Sequence, residues 1–249
     1  MKTTSCRNWM GRLLFAGIFS LTAGSLRAAE PPVRVLIFSG QNNHDWKQTT
    51  PKLASILTNS GRFTVEVTER PDRCTADAFA RCDVILCNWN AWGNVPVTNW
   101  PAATRAAFLH FVRSGGGHVV VHAGSCSFYD WPEYQQLGGA SWNLGQTSHS
   151  APHEFTVQPV ADHPITRGLT PFKTNDELWL KPGVQSGVKV LATGDAQPVA
   201  LVTEFGQGRG FTLLLGHEAA FMNAPGFQTL LLRGTEWAAT GKVTMRESK

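Results

Sequence analysis

Three consecutive glycines, Gly115-Gly116-Gly117, stand directly before His118-Val119-Val120-Val121-His122, and the small-residue turn Ala123-Gly124-Ser125-Cys126 follows. A glycine stop, a β-branched apolar run and a tight turn are the parts of a strand buried on both faces of a parallel sheet. In open α/β sheets, ligands bind outside the carboxyl ends of the strands. His122 ends this strand. The stretch is therefore either a core strand carrying a structural histidine or an active-site elbow, and the rest of the chain has to decide.

Upstream, Val33 to Phe38 is a short apolar run closed by Ser39-Gly40, and it reads as the first strand. Thr50 is placed to cap a helix whose first position is Pro51, and that helix stops at Gly61. Phe63 to Val67 alternates as a second strand, Ala76 to Ala80 is a short helix, and Asp83 to Trp89 is a third strand. Pro101 to Ser114 has helical spacing and ends at the triple glycine. The first half thus reads β-α-β-α-β-α-β, with right-handed crossovers. In the second half, Trp131 to Leu137 starts a helix that Gly138-Gly139 ends. Glu154 to Val157, Glu177 to Leu180, Val188 to Ala192, Val199 to Phe205 and Phe211 to Leu215 read as strands. His163 to Leu169 reads as a turn and a short helix, and Gly226 to Thr240 as a closing amphipathic helix. The glycine-rich Gly206 to Gly210 lies between two strands and opens no helix, so it is a hairpin turn rather than a phosphate cradle. The expected class is α/β: a doubly wound, mostly parallel sheet with helices on both faces.

Residues 1–29 read as a signal peptide. Lys2, Arg7 and Arg12 precede the uncharged run Leu13 to Leu26, and Ala28 and Ala29 offer a cleavage point. The run is too short for a spanning helix. Residues 30–249 then form one domain, exported to the periplasm or the exterior, with no membrane attachment after cleavage. Removing Lys2, Arg7, Arg12 and Arg27 from the 22 basic residues leaves 18 against 18 acidic ones. A neutral chain without basic clusters argues against nucleic acid as a partner. Export permits disulfides, and a Cys74–Cys82 bridge is open; Cys87 reads as a small buried hydrophobe. A homo-oligomer is left open.

Several strand-end loops carry similar polar residues: Asn43-His44-Asp45, Asn88 to Asn90, His122 to Cys126 and His217-Glu218. In a doubly wound sheet these loops converge on one edge. His149 and Asp176-Glu177 lie on segments able to cover that edge. Histidines and carboxylates meeting in one cleft move protons or bind a metal. The candidate catalytic residues are His44, His122, His217, Asp45 and Glu177, and the three histidines are candidate ligands of a divalent metal. His110 and His118 read as surface or packing residues, and His163, before Pro164, as a turn residue. Nine tryptophans are many for this length, and Trp46, Trp92 and Trp142 fall in candidate cleft loops. Aromatic faces pack on the C–H face of sugars while Asn and Asp bond hydroxyls. Trp46, Asn88, Asn90, Trp92, Trp142, His149 and Asp176 are therefore candidate contacts for a small carbohydrate; Trp179 and Trp237 read as core. A nucleophile elbow puts the reactive residue immediately after the strand. Here that place is held by His122, and Cys126 lies four residues on.

In order and spacing, these pieces resemble the ThuA-like family, linked to trehalose utilisation. The resemblance runs from about Val33 to Val243. It is carried by Asn43-His44-Asp45-Trp46, Gly115-Gly116-Gly117 with Val121-His122-Ala123, Trp142 with His149, His163 to Leu169, Asp176-Glu177-Leu178-Trp179 and Leu215-Gly216-His217. It implies a flavodoxin-like fold of the class I glutamine amidotransferase kind. Amidotransferases of that fold carry Cys at the elbow, so His122 argues against glutamine hydrolysis. The resemblance also implies a role in disaccharide or keto-sugar catabolism. Three readings follow: a carbohydrate enzyme working by histidine proton transfer or a histidine-bound metal, a non-catalytic sugar-binding protein, and a cysteine- or metal-dependent hydrolase.

Overall fold

The computed structural model describes residues 1–2, 30–93 and 99–246, so the expected signal peptide lies almost wholly outside the described residues. By internal contacts the chain divides into residues 1–31 and 32–249, and every helix and strand described below belongs to the second unit. Among the described residues, no helix is long and apolar enough to cross a membrane.

The first half follows the expected alternation. It runs β1 (Val33–Phe38), α1 (Trp46–Asn59), β2 (Phe63–Thr68), α2 (Ala76–Ala80), β3 (Val84–Cys87), α3 (Ala102–Arg113) and β4 (Gly117–Val121). Then come α4 (Pro132–Gly138) and the short pieces β5 (Ala140–Ser141) and β6 (Ser148–His149). The later strands are β7 (His153–Pro159), β8 (Phe172–Asp176), β9 (Trp179–Leu180), β10 (Gly183–Val184), β11 (Lys189–Gly194), β12 (Gln197–Phe205) and β13 (Gly208–Leu213), before the final helix α5 (Pro225–Thr240).

Nine strands form one sheet in the order β2-β1-β3-β4-β13-β12-β11-β7-β8. The parallel half, β2-β1-β3-β4-β13, has the flavodoxin-like order, which reverses between β1 and β3. Beyond it the sheet continues by antiparallel pairing, and only β12 and β7 run against the other strands. The two-residue turn Gly206-Gln207 joins β12 to β13, with Phe205 paired to Gly208, as a hairpin requires.

Strand alternation sorts the core into two layers. Val33, Val35 and Ile37 face Leu53 and Leu57 of α1 and Leu230 and Leu231 of α5. Leu36 and Phe38 face the other way, towards Phe79, Phe108 and Tyr134. All five residues of β4 are buried. Before it, Gly115 takes φ +110°, the left-handed turn that releases the chain from α3 into the sheet. Cys87 is fully buried, and the thiols of Cys74, Cys82, Cys87 and Cys126 are all free, so the 74–82 bridge is not formed.

Three local expectations need correction. The first helix begins at Trp46 with Asp45 as its cap, and Pro51 lies inside it. Residues 163–169 fold as hydrogen-bonded turns without a helix. The strand Phe172–Asp176 is an edge strand whose alternation is carried by Thr174 and Asp176 rather than by apolar residues, which hides it from a hydrophobic pattern.

Candidate functional site

Three histidines meet at the carboxyl edge of the parallel half. His122 follows β4 directly, His217 follows β13 by a few residues, and His44 lies on the loop after β1. Their rings stand edge to face, with centroids 4.8 Å apart for His44 and His122, 4.7 Å for His44 and His217, and 5.2 Å for His122 and His217. Glu177, from the turn after β8 in the antiparallel half, closes the group. Its Oε1 lies 3.5 Å from His122 Nε2 and its Oε2 lies 3.4 Å from His217 Nε2. One ligand-capable atom from each of the four residues falls within 4.8 Å of the others.

The backbone is bent to achieve this. His122 has φ +49°, a left-handed conformation that costs a non-glycine residue about 1–2 kcal/mol. It is the elbow position after the strand. A carbonyl can only accept, so His122 Nδ1 donates to the Leu214 carbonyl at 2.9 Å, and the lone pair is left on Nε2. That Nε2 is buried and has no hydrogen-bond partner. His44 is fixed in the same manner: its Nδ1 lies 3.0 Å from Asn42 Oδ1, which also accepts from the His44 amide and from Asn90 Nδ2. Gly216, at φ +99°, turns the chain so that His217 enters the group.

Burial and mutual repulsion disfavour charging His44 and His217, while the carboxylate of Glu177 is favoured in its charged form. Burial, reinforced by repulsion from His122 and His217, pushes His44 down to about 3. Burial and His122 also lower His217. Burial opposes ionisation of Glu177, but contact with His122 and the charges of His122, His217 and His149 together hold it below the ordinary glutamate value. Three imidazoles and one carboxylate thus share a small volume.

Beside the group is a pocket of about 310 Å³ lined by Asn43, His44, Trp92, Ala123, Cys126, Trp142, His149, Glu177, Trp179 and His217. Trp92, Trp142 and Trp179 form an edge-to-face series, Trp92 to Trp142 at 5.8 Å and Trp142 to Trp179 at 5.3 Å. Trp179 in turn lies 5.5 Å from His122. The half-exposed His149 places Nδ1 2.9 Å from Glu177 Oε2.

Other expected site residues stand elsewhere. Asp45 caps α1, accepting from the Gln48 amide and side chain at 3.3 and 2.7 Å. Trp46 opens that helix and lines a separate groove with Thr50, Pro51 and Glu69. Asn88 is buried and donates to Thr49 and Thr50, while the fully buried Asn90 ties Asn42 and Asn43 together. Asp176 is fully buried and accepts from the amides of Gly216, His217 and Glu177 at 2.7, 3.2 and 2.8 Å. These residues build the walls without lining them; short polar side chains in loops are taken up by backbone amides. Trp179, expected as core, is buried yet lines the pocket. Asn42, which the sequence reading leaves aside, supports His44, and its place two residues earlier in the same loop is a usable signal. Cys126 reaches the pocket wall, but burial pushes its thiol up to about 12, so it is not a thiolate.

A sequence model of the family described as ThuA, trehalose utilisation, matches residues 34–238. Among solved structures, a ThuA-like protein from Parabacteroides merdae is 29% identical with TM-score 0.75, covering 87% of this chain and 93% of that one. A ThuA-like protein from Bacteroides uniformis is 20% identical with TM-score 0.60, covering 88% and 96%. A cytoplasmic protein from Salmonella typhimurium is 14% identical with TM-score 0.60, covering 83% and 99%. The last two share the fold alone. No curated protein matches the chain.

Proposed function

This chain belongs to the ThuA, trehalose utilisation, family, and from that premise we propose that it is an exported enzyme acting on a disaccharide or keto-sugar. The observation that carries the reading is the convergence of His44, His122, His217 and Glu177 at the end of a tryptophan-walled pocket. Histidines and a carboxylate gathered in one cleft move protons or hold a divalent ion, and proton abstraction next to a sugar carbonyl is chemistry such a group suits. The series Trp92, Trp142 and Trp179 offers faces and edges for the C–H side of a sugar ring. His149, half exposed, hydrogen-bonded to the Ser150 carbonyl and with Nδ1 2.9 Å from Glu177 Oε2, stands between the cluster and solvent. Export rests on the pattern of residues 1–29, and cell fractionation tests it.

The test incubates the purified protein with disaccharides and their 3-keto forms and seeks products by mass spectrometry. His122→Ala should reduce turnover by at least about 100-fold, the scale of a lost acid–base group, with the far-UV spectrum unchanged. Full activity in that variant would sink the assignment. A second reading, sugar binding without reaction, is favoured by the aromatic series alone. It expects a sugar-dependent change in tryptophan fluorescence and no product. A cysteine hydrolase is disfavoured because the Cys126 thiol is protonated and buried.

A further inference from the structure

We infer that His44, His122, His217 and Glu177 bind one divalent transition-metal ion. The inference deepens the carbohydrate reading and rests on it only for the substrate; the centre itself stands on four other observations.

Spacing is the first. A four-coordinate ion with bonds of about 2.1 Å sets its ligand atoms about 3.4 Å apart. Glu177 oxygens lie 3.5 Å from His122 Nε2 and 3.4 Å from His217 Nε2, and no pair in the group exceeds 4.8 Å. Those separations are long for hydrogen bonds. The second observation is the buried, unpartnered Nε2 of His122. A native protein rarely leaves such an atom unsatisfied, and an ion is one of the few occupants that satisfy it.

The third is the outer support. Ligating histidines characteristically donate their other ring nitrogen to a carbonyl or carboxylate, which fixes the tautomer and aims the ligand atom. His122 Nδ1 does so to the Leu214 carbonyl, and His44 Nδ1 meets the Asn42 side-chain oxygen. Asn42 is itself fixed: its Nδ2 donates to the Asn88 carbonyl at 3.0 Å, and its Oδ1 accepts from Asn90. The fourth is chemistry. Three imidazoles with one carboxylate suit first-row divalent ions better than calcium or magnesium, which prefer all-oxygen sites. The adjoining pocket leaves access for a substrate oxygen on one side. Such an ion, when bound, supplies Lewis acidity there. His149, outside the four, stands beside Glu177.

Cobalt(II) is the probe, because four-coordinate cobalt absorbs in the visible far more strongly than the hexaaqua ion. Protein stripped with chelator and titrated with cobalt should take up one equivalent, measured by elemental analysis, with the visible band rising in step. His217→Ala and Glu177→Gln should each abolish the band. Asn42→Ala, which removes only outer support, should weaken cobalt binding by about 10–100-fold. His153→Ala, on a separate strand against Asp195, should bind as the parent does. Far-UV spectra check each fold; if both ligand variants unfold, the stoichiometry and band of the parent protein decide. Uptake well below one equivalent, or a band that survives His217→Ala in folded protein, overturns the centre. Cobalt binding without sugar turnover removes the carbohydrate reading and leaves the centre standing. Undiminished sugar turnover in metal-free protein leaves both standing but removes the ion from the chemistry, so that cobalt uptake alone decides the centre.

Discussion

At the residue scale, the eight histidines of the sequence divide by what surrounds them. That His44, His122 and His217, just past parallel strands, come together is legible in the sequence, because their place in the βα unit dictates where they point. Glu177 was legible only through its neighbours, since nothing in its own pattern says it faces the cleft. Asp45, Asn88, Asn90 and Asp176 have the right residue types in the right loops, yet the carboxylates are taken up by backbone amides and the carboxamides by neighbouring side chains. Sequence does not reveal which polar groups a loop consumes in holding itself. His118 shows the opposite case. The sequence leaves it a surface or packing role, and it packs, buried against Phe108 and Tyr134 with both ring nitrogens unpartnered. Burial pushes it down to about 3. The unfolded histidine titrates near 6.5, so as pH falls below 6.5 the unfolded chain binds a proton that the folded one refuses. Stability contributed by this group is full above 6.5 and is lost as pH falls towards 3, at up to about 1.4 kcal/mol per pH unit. His118→Leu lacks that loss and two buried orphan atoms. Its advantage in urea denaturation should grow by about 2 kcal/mol between pH 7.5 and 5. An advantage that does not change with pH would mean that His118 is protonated or solvated in the folded protein.

At the element scale, the parallel half was readable because each strand is a short apolar run ended by a turn residue. The antiparallel half was readable in part: β11 and β12 show, and the polar edge strand β8 does not. The start of α1 was misplaced for a physical reason. Thr50-Pro51 is a good helix entrance, but Asp45 is a better cap because its carboxylate reaches the Gln48 amide. The helix therefore tolerates a proline at its sixth residue and loses one backbone hydrogen bond. This places Asp45 in the scaffold beside the histidine cluster. Asp45→Ala should cost about 1 kcal/mol in stability, the usual value of a lost N-cap. Turnover of folded protein should stay within about twofold, against a loss of at least about 100-fold for His122→Ala. Equal loss in both variants would return Asp45 to the chemistry.

At the scale of the whole molecule, the site is assembled from both halves of the sheet, so its geometry depends on what holds the halves in register. Helix α5 does much of this. It packs under β3, β4 and β13, and its Arg233 Nη1 donates to the carbonyls of Ile165 and Arg167, which lie between β7 and β8. One turn on, Glu236 is fully buried and accepts from Arg62 Nε at 2.8 Å, where the chain enters β2 at the far edge of the parallel half. The same carboxylate accepts from the Thr244 amide and hydroxyl and from the Met245 amide, which ties down the chain end. Burial opposes ionisation of Glu236, but the Thr244 and Arg62 bonds outweigh it and hold the group below the ordinary glutamate value. Its contribution is therefore complete above the unfolded value near 4.5 and is lost as pH falls through the lowered folded value. Glu236→Ala breaks a buried pair while Arg62, partly exposed, keeps access to water. The expected cost is about 3 kcal/mol, the low end for such a break. Urea denaturation near pH 7 should read that difference in full. It should shrink at pH 3, where the parent begins to lose the same charge. A gap as wide at pH 3 as at pH 7 would mean that Glu236 acts through packing alone, and the register of the two halves would then have to be ascribed to Arg233.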